Sequence, residues 1–310
     1  MTLNNQNCRP AALAALLTAV LTAPVWGADI VAVEGGTLPG VSGLGELNVA
    51  SFQIARYEVT LGEWEAVRAW GEARGYDWTS AGEDHRGAEP AGCADNHPVH
   101  SVSWYDAVKW CNAKSERDGL TPVYILDGDT YRAGEPAHRQ WDDAAADWRF
   151  VQTGVVSEDP SANGYRLPRE AEWEFAARGG NRSAGYTYSG SNDLDEVGWY
   201  WENTADAPCA LWSGIGDADG TWVERGSRPV GGKAPNELGL YDMSGNVWEW
   251  CWDPCEERCL DRSGESVGDR YLRGGSWYVT AAGCAVAYRI TLYPDFRAYN
   301  FGFRLARNAE

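Results

Sequence analysis

The sequence closes on a stretch that governs how the rest is read, Tyr271–Arg307: YLRGGSWYVTAAGCAVAYRITLYPDFRAYNFGFRLAR. Arg273-Gly-Gly-Ser-Trp277 opens it and Gly302-Phe-Arg304 closes it, and both ends read as a rigid frame. Residues 278–301 contain six aromatic residues, several small ones, and no Lys, Glu, Gln, Met or Trp. The stretch is therefore either a catalytic centre or a binding surface, with the upstream chain as its scaffold.

Moving outward, the whole chain of 310 residues is long enough to bury a sizeable core, in one large domain or two small ones. A net charge of −19 argues against nucleic acid or an anionic membrane as partner, since both require a basic face. Seventeen Trp, 15 Tyr and 36 Gly beside two Met describe a loop-rich fold with aromatic anchors rather than a helical bundle.

The N-terminus reads as a targeting segment. Arg9 precedes an apolar run from Ala11 to Val25, and Val25-Trp26-Gly27 offers small residues for cleavage before Ala28. Residues 1–27 are thus a signal peptide, with a retained anchor as the alternative; the run is short for a membrane span. The expectation is an exported bacterial protein, periplasmic, cell-surface or secreted, monomeric, with no membrane span after cleavage. Export places Cys93, Cys111, Cys209, Cys251, Cys255, Cys259 and Cys284 in an oxidising compartment, where most should pair and an odd count leaves at least one thiol over.

Upstream, residues 28–50 predict an opening strand and hairpin, and Phe52-Gln-Ile-Ala-Arg-Tyr-Glu-Val alternates as a half-buried strand. Thr60-x-x-Glu63 fits a capping box for a first helix carrying Trp64, Val67 and Trp70 inward. Ser103 caps a second helix with Ala107, Val108, Cys111 and Ala113 inside. Trp141 and Trp148 are expected as anchors among short strands from 119 to 164. Tyr165 to Gly180 predicts a third helix, with Pro168 in its first turn and Gly179-Gly180 as its stop. No repeat or linker divides the chain, so residues 28–310 read as one irregular α+β domain.

Four blocks carry a resemblance: Ile54-Ala-Arg-Tyr-Glu-Val-Thr, Tyr165-Arg-Leu-Pro-Arg-Glu-Ala-Glu-Trp-Glu-Phe-Ala-Ala-Arg-Gly, Gly239-Leu-Tyr-Asp-Met-Ser-Gly-Asn-Val-Trp-Glu-Trp, and Arg273-Gly-Gly-Ser-Trp with Gly302-Phe-Arg. Together, in this order, the chain resembles the formylglycine-generating enzyme, or sulfatase-modifying factor, family. The resemblance implies an α+β, loop-rich variant C-type-lectin-like fold with about three helices and a small antiparallel sheet near the C-terminus. Fold membership leaves function open: the family includes copper-dependent oxidases of a sulfatase cysteine, sulfoxide synthases, and variable proteins of diversity-generating retroelements.

Similar oxidases hold Cu(I) on two thiolates, a soft pair for a soft ion. The first lies three residues after the serine of Gly-Gly-Ser and the second five further on. From Ser276 these positions are Val279 and Cys284. Valine cannot ligate copper, so copper is not expected; were the chain an oxidase, Ser276 and Cys284 would be its catalytic residues. Otherwise Cys284 is a disulfide partner or a buried small hydrophobe. The sulfoxide synthases resemble fusions whose extra helical domain supplies histidines to iron, and here His85, His97, His100 and His138 are sparse. Cys251-x3-Cys255-x3-Cys259 lacks the paired knuckles of a zinc ribbon. In similar members calcium is held at positions corresponding to Asp242, Gly245, Val247 and Glu249, which implies a structural calcium ion here, the glycine and valine through backbone oxygens. The alternative is that the two carboxylates only cap turns.

Retroelement-diversified proteins change Asn codons at their adenines only, and such codons cannot yield Lys, Glu, Gln, Met or Trp, the types missing from 278–301. The stretch is therefore expected to be a variable binding region for a protein or cell-surface ligand. Its candidate contact residues are Tyr278, Val279, Thr280, Tyr288, Ile290, Thr291, Leu292, Tyr293, Phe296, Ala298, Tyr299 and Phe301, where rigid rings give contact area at low entropic cost. The alternative is that several of these rings are core.

Overall fold

The computed structural model describes residues 29–39, 46–82, 94–143, 147–205, 213–216, 222–255 and 268–309. The expected signal peptide, His85, Cys93, Cys209 and Cys259 lie outside them.

The first and last described strands flank one strand in a single sheet. Strand Phe52–Ala55 takes Ile30–Val33 antiparallel on one side and Ala306–Asn308 antiparallel on the other. The alternation read from the sequence holds only at the start: Phe52 and Ile54 are buried and Gln53 is not, but Ala55, Glu58 and Val59 are also buried and the strand ends at Ala55.

Helix α1 (Leu61–Glu72) begins where the capping box places it. Glu63 N–H donates to Thr60 Oγ1 at 3.2 Å and Thr60 N–H returns a bond to Glu63 Oε2 at 3.2 Å, satisfying two otherwise orphaned donors. Leu61, Trp64 and Val67 are buried, whereas Trp70 is only partly so. Helix α2 (Trp104–Arg117) has the same device on Ser103 and Asp106, and is buried from Trp104 to Ser115. The helices meet through Trp64 and Trp110, stacked with centroids 6.2 Å apart, and Phe303 packs edge-on against both rings. The closing Gly-Phe-Arg thus enters the main core rather than lying over it.

Helix α3 (Glu170–Ala177) is shorter than the sequence suggested. Tyr165 to Pro168 are extended, because Arg166 bridges to Ala306 and Pro168 disfavours helical geometry in the residue before it. Gly179, with φ near +90°, ends the helix as expected. Among the described residues, one further α-helical turn follows, α4 (Leu194–Val197), besides short 3-10 turns at Gly180–Arg182, Trp201–Asn203 and Ala281–Cys284.

The C-terminal sheet has the order Arg289–Leu292, Arg270–Arg273, Trp248–Pro254, Phe301–Gly302. The first three strands are antiparallel, but Phe301–Gly302 lies parallel to Trp248–Pro254, which corrects the wholly antiparallel expectation. The physical reason is the turn before it. Phe301 N–H and Ser101 N–H both donate to the Ala298 carbonyl, holding the last strand in that direction. Trp141, expected as an anchor, is 48% exposed on the hairpin Ala137–Asp142/Asp147–Gln152.

Disulfide pairing is sparser than expected among the described cysteines. Cys111, Cys251 and Cys284 are free and buried, and Cys255 is disulfide-bonded. His97 and His100 are ordinary buried histidines, each with Nδ1 on a serine hydroxyl, Ser227 at 3.0 Å and Ser101 at 3.2 Å.

Candidate functional site

The frame of the C-terminal stretch is built on glycine conformation and buried charge. Gly275 has φ near +79°, and a Cβ there would sit 2.6 Å from the Gly283 carbonyl oxygen and 2.7 Å from Cys284 Sγ, so no other residue fits. Arg273 is buried, pairs with Glu174, and donates to the carbonyls of Ala287 and Tyr288. Ser276 Oγ accepts from Asn300 Nδ2 at 3.0 Å and from Tyr278 N–H at 3.3 Å, which staples the two ends of the stretch together.

Cys284 lies under this frame. It is fully buried and shares a small apolar cluster with Leu194, Val197, Val279 and Ala281. Burial pushes its thiol up to about 12, since no cation offsets the loss of water around a thiolate. The place where similar oxidases carry two soft thiolates therefore holds one protonated thiol and an isopropyl group. These residues do not fit Cu(I).

Above the frame the aromatic residues divide. Tyr278, Tyr299 and Trp277 form a mutual cluster with centroids 5.2 to 5.6 Å apart, and Trp201 joins it edge-on to Tyr278 at 5.6 Å. Tyr278 is 37% exposed and Tyr288, against Trp248 at 6.1 Å, is 47% exposed. Burial and a hydrogen bond with Tyr278 push the Tyr299 phenol upward, so Tyr299 keeps a neutral hydroxyl at physiological pH. Thr280 is exposed, and Val279, Thr291, Tyr293 and Tyr299 are half-buried.

Ile290, Leu292, Phe296 and Ala298 are also half-buried and lean on the main core. Phe301 is a correction: it is 6% exposed, packed edge-on against Trp250 at 5.9 Å, and belongs to the core. Its place in the sheet turns its ring inward. The sequence reading also missed Trp201, whose ring carries the Arg225 guanidinium 4.3 Å above it. Nothing local to Trp201 marks it, because its partner Tyr278 is remote in sequence.

The calcium expectation divides in the same way. Asp242 is buried, with Oδ2 accepting from Gly231 N–H at 2.7 Å and Oδ1 enclosed without a partner. That oxygen suits a hard cation. Glu249 does not offer one: both its oxygens are held at 2.6 Å by Arg304, and Oε2 also accepts from Trp173 Nε1 at 2.7 Å. Gly245 N–H donates to Gly274 and Val247 N–H to Glu58 Oε1. Burial, then the neighbouring Asp242 and Glu249, raise the Glu58 carboxyl, while burial holds Asp242 at about 6. Among the described residues, no three His, Cys, Asp or Glu side chains form a metal cage.

Comparison with known proteins places this geometry. The family model for the sulfatase-modifying factor enzyme 1-like domain matches residues 22–309. The chaperone protein LppX of Paenibacillus barcinonensis is 37% identical over 84% of this chain and 82% of its own. The formylglycine-generating enzyme of Thermomonospora curvata is 30% identical over 89% and 92%. Among solved structures, Treponema denticola variable protein 1 superposes with a TM-score of 0.63 at 29% identity, covering 91% of this chain and 94% of that one. With nearly its whole length matched and the four sequence blocks set in one frame, the chain belongs to the sulfatase-modifying factor, or formylglycine-generating enzyme, family.

Proposed function

We propose that this chain is an exported display protein that binds a protein or cell-surface ligand through the aromatic face of residues 278–301. The observation that carries the reading is the division just described. Tyr278 and Tyr288 stand exposed on a frame whose own residues, Arg273, Ser276, Trp277 and Arg304, are buried. Exposed rings held on a fixed base are what a binding face requires, since little entropy is lost when the ligand seats. The likeness to a protein named variable protein 1 supports display. The relative named as a chaperone, LppX, is consistent with both a protein ligand and export.

The oxidase alternative has a relative in its favour, but Val279 and the protonated Cys284 leave it no copper pair. On the display reading, 278–301 is a region diversified at adenines. A near-copy of its codons beside a reverse transcriptase gene is the genomic expectation. Calcium belongs to the proposal as a stabiliser, with Asp242 rather than Glu249 as its carboxylate and Gly245 and Val247 contributing backbone oxygens.

The test is a selection for binders from the protein's own source, followed by Tyr278→Ala/Tyr288→Ala. Binding should fall at least tenfold with the fold intact. Copper-dependent, oxygen-consuming turnover of a Cys-x-Pro-x-Arg peptide by the wild-type chain would overturn the proposal.

A further inference from the structure

A second feature lies on the other side of Pro294 and is independent of the exposed tyrosines. Arg270, at the start of strand Arg270–Arg273, lies over the Trp104 indole, its guanidinium 3.9 Å from that ring centroid and 5.3 Å from the centroid of Trp252, which stacks on Trp104 at 5.1 Å. Buried guanidinium groups are ordinarily neutralised by a carboxylate. This one is not. Its hydrogen bond is from Nη1 to the Trp252 carbonyl at 2.6 Å, and its Nε is enclosed without a partner.

Asp253 and Glu158 are near enough to favour its charge, but neither pairs with it; Asp253 and one oxygen of Glu158 are engaged elsewhere, while Glu158 Oε1 is enclosed without a partner. Asp253 Oδ2 accepts from Glu170 N–H at 2.5 Å, and Glu158 Oε2 pairs with Arg169 at 2.6 Å. Burial pushes the guanidinium down to about 10, leaving it charged at neutral pH with no carboxylate among the described residues bonded to it.

The group opens on a cavity of about 60 Å³, well above the roughly 10–15 Å³ that one water needs. Trp104, Tyr105, Gln152, Gly154 and Pro294 line it with Arg270. Trp104 and Tyr105 are the first residues of α2, so the positive end of that helix adds to the field. Burial pushes the Tyr105 phenol upward, so its hydroxyl keeps a proton it can donate. The cavity is small, walled by rings, and offers a planar cation.

We propose that Arg270 anchors a carboxylate-binding subsite in this cavity, with Tyr105 and Gln152 at its wall and rim. A carboxylate matches the flat guanidinium, which donates to it in two parallel bonds. Its source is an acidic side chain, a chain terminus or a small organic acid. The chain's net charge of −19 repels anions at long range, so this local desolvated cation is what selects one.

The test titrates the full-length protein with sodium acetate, glutarate and inorganic phosphate at constant ionic strength. The Arg Nε–H and Trp indole signals in a nitrogen–proton NMR spectrum report binding. Acetate and glutarate should saturate in the millimolar range and move the signals of Arg270, Trp104 and Trp252. Arg270→Lys should abolish this.

Because that variant removes a stacked ring partner, the rim supplies a second arm that leaves the stack untouched. Gln152 is exposed, and its Nε2 makes one long bond, 3.4 Å to the Gly154 carbonyl. Gln152→Glu should weaken acetate about fivefold and Gln152→Lys should tighten it by a similar factor. Failure to saturate, or indifference to the sign of the charge at 152, overturns the subsite. Tighter binding of phosphate than of acetate overturns its assignment to carboxylates. None of these outcomes bears on Tyr278 or Tyr288, so the subsite and the display face succeed or fail separately.

Discussion

Arg304 and Glu249 form a two-point ion pair in which neither side chain reaches solvent: Nε to Oε2 and Nη2 to Oε1 are each 2.6 Å. Arg304 further donates to the carbonyls of Ala55, Arg56 and Tyr241, and Trp173 donates to Glu249. One pair therefore joins the end of the chain to its first sheet, to α3 and to strand Trp248–Pro254.

Removing one half of this pair should be severe. Glu249→Ala leaves a buried guanidinium without its anion, at a cost of about 3–5 kcal/mol. Glu249→Gln keeps the shape and one acceptor and should cost less. Urea denaturation at neutral pH measures both; an unchanged midpoint for the alanine variant would mean that the pair does not hold the frame.

Core and display positions should separate in a melt. Phe301→Ala, at the buried Trp250 contact, is expected to lose about 3–5 kcal/mol. Tyr278→Ala and Tyr288→Ala should each stay within about 1 kcal/mol of wild type. Tyr299→Ala should fall between, because its half-buried ring touches both Trp277 and Tyr278. A collapse at Tyr278 or Tyr288 would make those rings structural and remove the main support for display.

Cys284 should resist chemistry while the protein is folded. Its thiol is enclosed and pushed up to about 12, so iodoacetamide at pH 8 should leave it unmodified, and urea should expose it. Mass spectrometry of the labelled peptide reads the result directly. Rapid native labelling is the outcome that would restore a reactive-thiol reading.

Asp242 gives a pH dependence of definite sign. Its folded-state value of about 6 lies above the ordinary 3.8, so the folded protein holds this proton more tightly than the unfolded chain. Its contribution to stability is then full below about pH 4 and is lost as pH rises towards 6. In chelator, Asp242→Asn should melt higher than wild type at pH 7, with the gap closing below pH 4. Millimolar calcium should raise the wild-type melting temperature more than that of Asp242→Asn. A wild-type melt indifferent to calcium would remove the ion from the proposal.

Much of the scaffold was legible because its causes are local. Thr60 with Glu63 and Ser103 with Asp106 start helices by bonds that span one turn, and Gly179 stops one by conformation alone. Tyr165 to Pro168 misled because the extended shape there depends on Ala306, remote in sequence.

The C-terminal stretch shows the same boundary. The sequence by itself determined the family, the absence of a second thiol at Val279, and the unusual composition of 278–301, since residue identity and spacing carry all three. Only the tertiary structure decided which rings face outward. Tyr278 and Tyr288 are presented, Phe301 is taken into the core, Trp201 is brought to Tyr278, and Glu249 is held by Arg304 rather than left for a metal ion. Each of these depends on a partner remote along the chain, and burial and electrostatic pairing are properties of the packed neighbours rather than of the residue.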